Sequence, residues 1–422
     1  SMFGKNKQHL ELVTALDIGS SAIRMAVGQR LSESGKPRDL QVLGVVDVPS
    51  LGVHKGVVTS IEDAISSIAD AEERLERLIG VPVESAWVGI TDPQIVVQAS
   101  KGVVAVAKTD GEISAEDVER AVDAARMVAA PLNYDILHVL PRTFAVDGQM
   151  GIKDPVGMSG IRLEVDTQII YGLTSHLKNM SKAVYRTGID IEDMVLSIFA
   201  TAEVVTTPRQ RDLGVCVVNI GGSTTSIAVY EEGDVIHTAI LPLGSEHITN
   251  DLAIGMRTSI DIAERTKITY GQCTKQGVAK KEVIDLASAG APAEELVFRE
   301  YMIDIIGARI AEILEKVDGE LRRIDRSRRL PAGVVLTGGG AKLRGLIEFA
   351  KEQLQLPASL GYPVDVQSAS EKSGDLACAP VIGILQWATH MRAPHERRGK
   401  GGGMNVGKVF DRFQSILKSL MP

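Results

Sequence analysis

Residues 12–17 form the first periodic apolar run, and after a polar pause at Gly19, Ser20 and Ser21 the alternation resumes through Ile23, Met25 and Val27. A period of two on both sides of a short glycine turn predicts two paired strands. Residues 42–48 predict another strand. Ile61, Ile65, Ile68, Leu75, Leu78 and Ile79 then recur on one face of a helix over Ile61–Ile79, stopped by Gly80 and Pro82. Between about 86 and 166 the pattern changes: strands at 86–90, 95–98 and 135–139, a helix over 115–130, and a Gly/Pro-rich loop over 148–160. This stretch reads as an inserted subdomain. A strand at 167–173 and helices at 178–187 and 194–205 follow. Later come helical residues 245–270, a hairpin-like passage at 278–284, a long helix over 293–324, a strand at 333–337, and helices at 343–353 and Ala379–Met391.

One stretch repeats another about half the chain away. Residues 216–229 read like 13–27, with Asn219 opposite Asp17, Gly221 opposite Gly19 and Val229 opposite Val27. Two copies of one strand–turn–strand unit predict a duplicated α/β fold.

Composition narrows the classes. Gly is plentiful at 41 residues and aromatics are only 4%, the mix of sheets covered by helices. The formal charge of −8 gives no reason to expect nucleic-acid binding, which needs basic stripes. Three distant cysteines, Cys216, Cys273 and Cys378, propose neither a disulfide framework nor a metal site and point to a reducing cytoplasm. The opening Ser1–Met2 reads as an added residue ahead of an initiator, with no secretory leader. The long uncharged runs at 213–230 and 376–391 are interrupted by polar residues or too short to span a bilayer.

The glycine turns carry the chemistry. In Asp17–Ile18–Gly19–Ser20–Ser21, glycine lets backbone N–H groups and hydroxyls converge on an anion, and the Asp17 carboxylate suits a hydrated Mg²⁺. Alone the pattern is no more than a glycine-rich hairpin. The second copy, Asn219–Ile220–Gly221–Gly222–Ser223–Thr224, makes it specific, because two cradles can grip one polyphosphate from opposite sides. A third turn, Gly338–Gly339–Gly340 with Lys342, ends a strand where backbone can approach a nucleoside.

In this order the turns resemble the phosphate-1, phosphate-2 and adenosine motifs of the actin, Hsp70 and sugar-kinase superfamily. Within it the chain is most similar to the FtsA family of bacterial cell-division proteins, through 152–162, 213–222 and 333–340. The resemblance implies an actin-like duplicated fold with two lobes around an ATP cleft: subdomain IA at 10–85 and 167–206, an inserted 1C subdomain at 86–166 replacing IB, IIA at 207–245 and 330–392, and IIB at 246–329. ATP and Mg²⁺ are the implied cofactors, and Glu264 and Lys267 match the adenosine-side helix. The implied partners are the acidic C-terminal peptide of FtsZ, received by Arg299 and Arg309, the chain itself in protofilaments, and other division proteins. Localisation is implied at the inner face of the bacterial cytoplasmic membrane.

Departures from the family pattern bear on catalysis. Asn219 stands where the second cradle normally has Asp, and brings no charge. Ala22 stands where relatives often have Lys, with Arg24 two residues on and on the same side of the strand. Glu203 is the nearest acidic residue to a water-orienting role and reads equally as an exposed helix position. ATP binding with weak or absent hydrolysis is therefore expected. The run Gly402–Lys408 fits G-x-x-x-x-G-K but lacks the Ser or Thr at Val409 and follows a linker, so it is a chance match.

Beyond the Pro/Gly/Arg linker at 393–404, residues 405–422 pattern as an amphipathic helix. Val406, Val409, Phe410, Phe413, Ile416, Leu417 and Leu420 share one face, while Lys408, Arg412 and Lys418 lie opposite. With basic residues flanking two Phe after a linker, this reads as an interfacial anchor for an anionic membrane and resembles the family's membrane-targeting sequence. Rival readings are a PilM-like adaptor and a sugar kinase or exopolyphosphatase of the same fold. The enzyme needs a carboxylate base that the sequence does not offer. An Hsp70 chaperone is disfavoured because residues after Met391 offer no peptide-binding domain.

Overall fold

The computed structural model describes residues 11–31, 40–364 and 366–391. The first lobe opens with β1 (Leu12–Ile18), β2 (Ala22–Arg30) and β3 (Leu40–Pro49), a small hairpin of β4 (Val53–His54) and β5 (Val57–Val58), then α1 (Ile61–Ile79) and β6 (Ser85–Ile90). Next come β7 (Val96–Ala105), α2 (Ala115–Arg126), β8 (Tyr134–Val146), β9 (Gln149–Ile152) and β10 (Arg162–Leu173). The chain returns through α3 (Thr174–Tyr185), β11 (Asp190–Leu196) and α4 (Ser197–Val205). The second lobe contains α5 (Pro208–Leu213), β12 (Val215–Ile220), β13 (Thr225–Glu231), β14 (Asp234–Leu241), α6 (Ser245–Met256), α7 (Ile260–Tyr270), β15 (Val283–Asp285), β16 (Leu296–Phe298), α8 (Arg299–Arg323), β17 (Val334–Thr337), α9 (Leu346–Leu354) and β18 (Ala358–Leu360). Short β19 (Gln367–Ser368) and α10 (Ala379–Met391) close the described chain.

The duplication is visible in strand order. The first sheet runs β11-β6-β1-β2-β3-β19 and the second runs β14-β13-β12-β17-β18. In each, a meander of three antiparallel strands is extended by parallel strands beside its first member, β6 on β1 and β17 on β12. β1 and β12 are almost wholly buried, as strands covered on both faces must be. One hydrophobic core runs from the first sheet through α4 and α10 onto Val215, Val217 and Ala228 of the second; another fills the second lobe around Ile306, Ile310 and Leu336.

Several expectations from the sequence change. Ser85–Ile90 lies between β1 and β11 in the first sheet, so the strand assigned to the start of the insertion belongs to the lobe. The insertion's own sheet is β7-β10-β8-β9, and it includes β9, read from sequence as loop, and β10, assigned in part beyond the insertion. Likewise β19 and α10, grouped with the second lobe at 330–392, pair or pack with the first. The 245–270 helix is two helices, broken where Arg257 takes a left-handed φ of 54° and Ser259 caps α7. The long helix starts at Arg299, later than 293, because Leu296–Phe298 pairs with Val283–Asp285. That pairing also moves the hairpin placed at 278–284. Leu78, counted on the apolar face of α1, is 58% exposed, while Ala64, Ser67 and Ala71 complete the buried stripe. The helix placed at 194–205 begins at Ser197, since 190–196 continue as β11.

Candidate functional site

Both cradles are the ends of buried central strands. At the first, Asp17 is the penultimate residue of β1, and Gly19 N–H donates to the Ala22 carbonyl at 3.1 Å. At the second, Asn219 is the penultimate residue of β12, and Gly221 N–H donates to the Thr224 carbonyl at 2.9 Å. A Cβ on Gly19 would lie 2.7 Å from that carbonyl oxygen, so the tight turn requires glycine there. The turns face each other. Ser223 Oγ donates to Ser20 Oγ at 2.5 Å, and Ser21 Oγ donates to Glu246 Oε1 at 2.6 Å.

Between them lies a cleft of about 470 Å³ whose lining includes Asp17, Gly19, Ser20, Ser21, Asn219, Gly221, Gly222, Ser223, Thr224, Glu264, Lys267, Gly338, Gly339, Gly340 and Lys342. Every residue singled out from the sequence for the cofactor is therefore in one place, although they come from four separate segments. Arg24 and Ala22 line it too. Sequence reading missed Thr91, Ser245, Ile268, Gly271, Leu343, Arg344, Ala377 and Pro380. Ile268, Leu343 and Arg344 directly follow residues that were singled out, whereas Thr91, Ala377 and Pro380 reach the cleft only through tertiary packing.

Both lysines that line the cleft are already paired with acids. Lys267, buried beside α6, donates to Thr249 Oγ1 at 2.8 Å and to the Ser245 carbonyl at 3.3 Å, and meets Glu264 Oε2 at 2.7 Å. Thr249 donates to the same Glu264 carboxylate. Lys342 pairs with Asp375 at 2.8 Å. Arg24 sits cross-strand from Asp17. Burial pushes the Asp17 carboxyl above its usual range, and the Arg24 charge offsets part of that rise. Asn219 Oδ1 is buried without a hydrogen-bond partner, an acceptor left open at the cleft floor. Gly338, at φ 88°, leaves room for it: a Cβ there would collide with Asn219 Oδ1.

Other predicted positions fall elsewhere. Glu203 is partly buried in the first lobe, 3.3 Å from His390 Nδ1 and outside the cleft lining, so it is neither an exposed helix residue nor a group facing a nucleophile there. Arg299 meets Glu282 at 2.9 Å and Gln272 at 3.1 Å. Arg309 forks onto Asp251 at 2.6 and 2.8 Å and also reaches Glu312 at 2.8 Å. Both guanidinium groups are already engaged within the chain. The proposed membrane face, Val409, Phe410, Phe413, Ile416, Leu417 and Leu420, lies outside the described residues. Among the described residues, no helix is long and apolar enough to cross a membrane.

Comparison with known proteins agrees with this architecture. The family model described as cell division protein FtsA matches residues 216–383, and that of the SHS2 domain inserted in FtsA matches 93–171. The latter range, like the sheet topology, leaves Ser85–Ile90 in the lobe. Among curated relatives, the cell division protein FtsA of Bacillus subtilis is 36% identical over 90% of this chain and 83% of its own, and that of Pseudomonas aeruginosa 34% over 89% of each. Among solved structures, the PilM-PilN type IV pilus biogenesis complex superposes with a TM-score of 0.64 at 17% identity, covering 88% of this chain and 97% of that one. MreB5 of Spiroplasma citri bound to ADP gives 0.51 at 13%, covering 88% and 94%. With the actin-like duplication, the inserted domain and identity above 30% over most of its length, the chain belongs to the FtsA family of cell division proteins.

Proposed function

We propose that this protein binds ATP with Mg²⁺ in the interlobe cleft, polymerises, and anchors FtsZ filaments to the cytoplasmic face of the membrane through residues 405–422. The observation that carries the nucleotide reading is the convergence of three glycine turns from distant segments on one cavity. Solved MreB5 structures, bound to ADP or AMPPNP, share the fold. The residues fit the group. The Gly19 and Gly221 amides close the turns themselves, so the Ser20–Ser21 and Gly222–Thr224 backbone N–H groups would hold the phosphates. Gly338–Gly340, Glu264, Lys267 and Lys342 would flank the nucleoside. Asp17, whose burial disfavours its charged form, is the carboxylate that a hydrated Mg²⁺ would stabilise, with Asn219 Oδ1 accepting from its water. Bound Mg²⁺ shields phosphate charge, a need made larger here because Lys267 and Lys342 are already neutralised.

Hydrolysis is expected to be slow. The carboxylates lining the cleft are Asp17 and Glu264, and the latter is held by Lys267 and Thr249. This disfavours the kinase and phosphatase alternatives, which need a free base.

Cosedimentation of the full chain with anionic vesicles, with and without ATP, tests the anchoring role. Removing residues 406–422 is expected to abolish lipid binding while leaving the body folded. Phe413→Glu alone, forfeiting about 1.5–3 kcal/mol of apolar burial, is expected to weaken it strongly. A truncated protein that still sediments with lipid overturns the assignment.

A further inference from the structure

The small β4–β5 hairpin was assigned no role from the sequence, yet its turn touches both cradles. Lys55 and Gly56, at φ 48° and 73°, form the two-residue turn. Lys55 N–H donates to Ser223 Oγ of the second cradle at 3.0 Å, and Gly56 N–H donates to Ser20 Oγ of the first at 3.3 Å. These are the same two hydroxyls that hydrogen-bond each other across the cleft. Two successive amides thus back the point where the cradles meet, behind the Ser20 and Ser223 hydroxyls that line the cleft, and a nucleotide gripped by both turns would bring its outermost phosphate to those hydroxyls. The turn is seated firmly. A Cβ on Gly56 would collide with the Thr91 carbonyl, Thr91 lines the cleft, and the adjoining Asp92 is held by His176 Nδ1 at 2.6 Å while accepting from Gln94 N–H at 2.9 Å.

Resting on the nucleotide reading above, we propose that the Lys55–Gly56 turn is a third phosphate-binding element, whose amides recognise the terminal phosphate and set the preference for nucleoside triphosphate over diphosphate. A terminal phosphate replaces the Ser20–Ser223 contact and takes both serine hydroxyls and the amides behind them. A diphosphate leaves that contact intact. Charge-assisted hydrogen bonds to amides fixed in place are the stronger kind, so the discrimination is expected to reach about tenfold or more.

The test uses the full chain. AMPPNP and ADP are titrated calorimetrically in the presence of Mg²⁺, and hydrogen exchange of residues 52–59 is followed with each. Protection of the Lys55 and Gly56 amides by AMPPNP beyond that by ADP is expected in the unaltered protein. Gly56→Ala, which must displace the turn from Thr91, is expected to lower AMPPNP affinity about tenfold and leave ADP within about twofold, while His54→Ala, exposed on the same hairpin, changes neither. Equal protection by the two nucleotides, or an equal loss for both in a folded Gly56→Ala protein, overturns the proposal. Failure of the unaltered protein to bind either nucleotide removes the underlying reading as well, so the two failures are told apart by the first titration.

Discussion

Asp17 and Asn219 occupy equivalent places in the two halves, but only one is a carboxylate. Burial raises the Asp17 pKa above that of an unfolded Asp, so the folded protein takes up a proton more readily than the unfolded one. The charged form therefore costs stability that is regained as pH falls through the folded pKa toward about 3.8. Asp17→Asn should accordingly raise the nucleotide-free melting temperature at pH 7, with the gain shrinking as pH falls toward 4, and should remove the Mg²⁺ dependence of nucleotide binding. Scanning calorimetry at several pH values, paired with titration in EDTA, reads both. Asn219→Asp does the reverse by adding a second buried carboxylate. It should lower the apo melting temperature, recover it with Mg²⁺, and raise phosphate release if the missing charge limits hydrolysis. Turnover by the unaltered protein at the 1–100 s⁻¹ typical of kinases would mean that Asn219 is no handicap. At this scale the cleft was readable wherever chemistry sits in short glycine motifs. Thr91 and Ile268 were not, because an isolated Thr and an exposed helical Ile carry no local signal of what they face.

Elements were readable in kind more than in extent. Strong periodicity placed α1 and the β1–β2 and β12–β13 units, since each has its period, turn and caps in sequence. Boundaries failed where pairing decides. Leu296–Phe298 has helical neighbours but is taken by Val283–Asp285, and Ser85–Ile90 is claimed by β1 and β11 across long sequence separations. The same dependence on partners affects the two arginines assigned to the FtsZ peptide. Arg309 is tied bidentately to Asp251, linking α8 to α6, so Arg309→Glu sets three acidic groups together and should cost roughly 1–3 kcal/mol of stability. Arg299→Glu breaks contacts with Glu282 and Gln272 at the start of the same helix. If these residues capture an acidic peptide, Arg299→Glu should weaken it ten- to a hundredfold, about 1.5–3 kcal/mol, without changing nucleotide affinity. Peptide titration beside thermal melting separates lost recognition from lost packing. Unchanged peptide affinity in both variants moves the partner site elsewhere.

For the whole molecule, what matters is how the lobes are held around the cleft. They share the core of α4 and α10, and they touch at the Gly19–Ser21 and Gly221–Thr224 turns. A further tie was invisible in the sequence because it runs through the insertion. Lys153, just after β9, pairs with Asp234 and lies 3.7 Å from Glu232 at the β13–β14 turn of the second lobe, while Gln168 of β10 donates to the Ile236 carbonyl at 3.4 Å. Burial raises the Asp234 carboxyl, with Lys153 and Arg142 opposing the rise, so this acid depends on cations supplied by the insertion. The insertion is covalently part of the first lobe, and the contact therefore bridges the lobes away from the cleft. Lys153→Glu would place a third acid beside Asp234 and Glu232, favouring separation of the second lobe. Release of a fluorescent nucleotide, followed by stopped flow, should then accelerate several-fold, consistent with about 0.5–1.5 kcal/mol for one such contact. The charge-reversed pair Lys153→Glu with Asp234→Lys should bring the rate back toward that of the unaltered protein. Unchanged release in the single variant, with the melting temperature also unchanged, would mean that the insertion rides on the second lobe without restraining it.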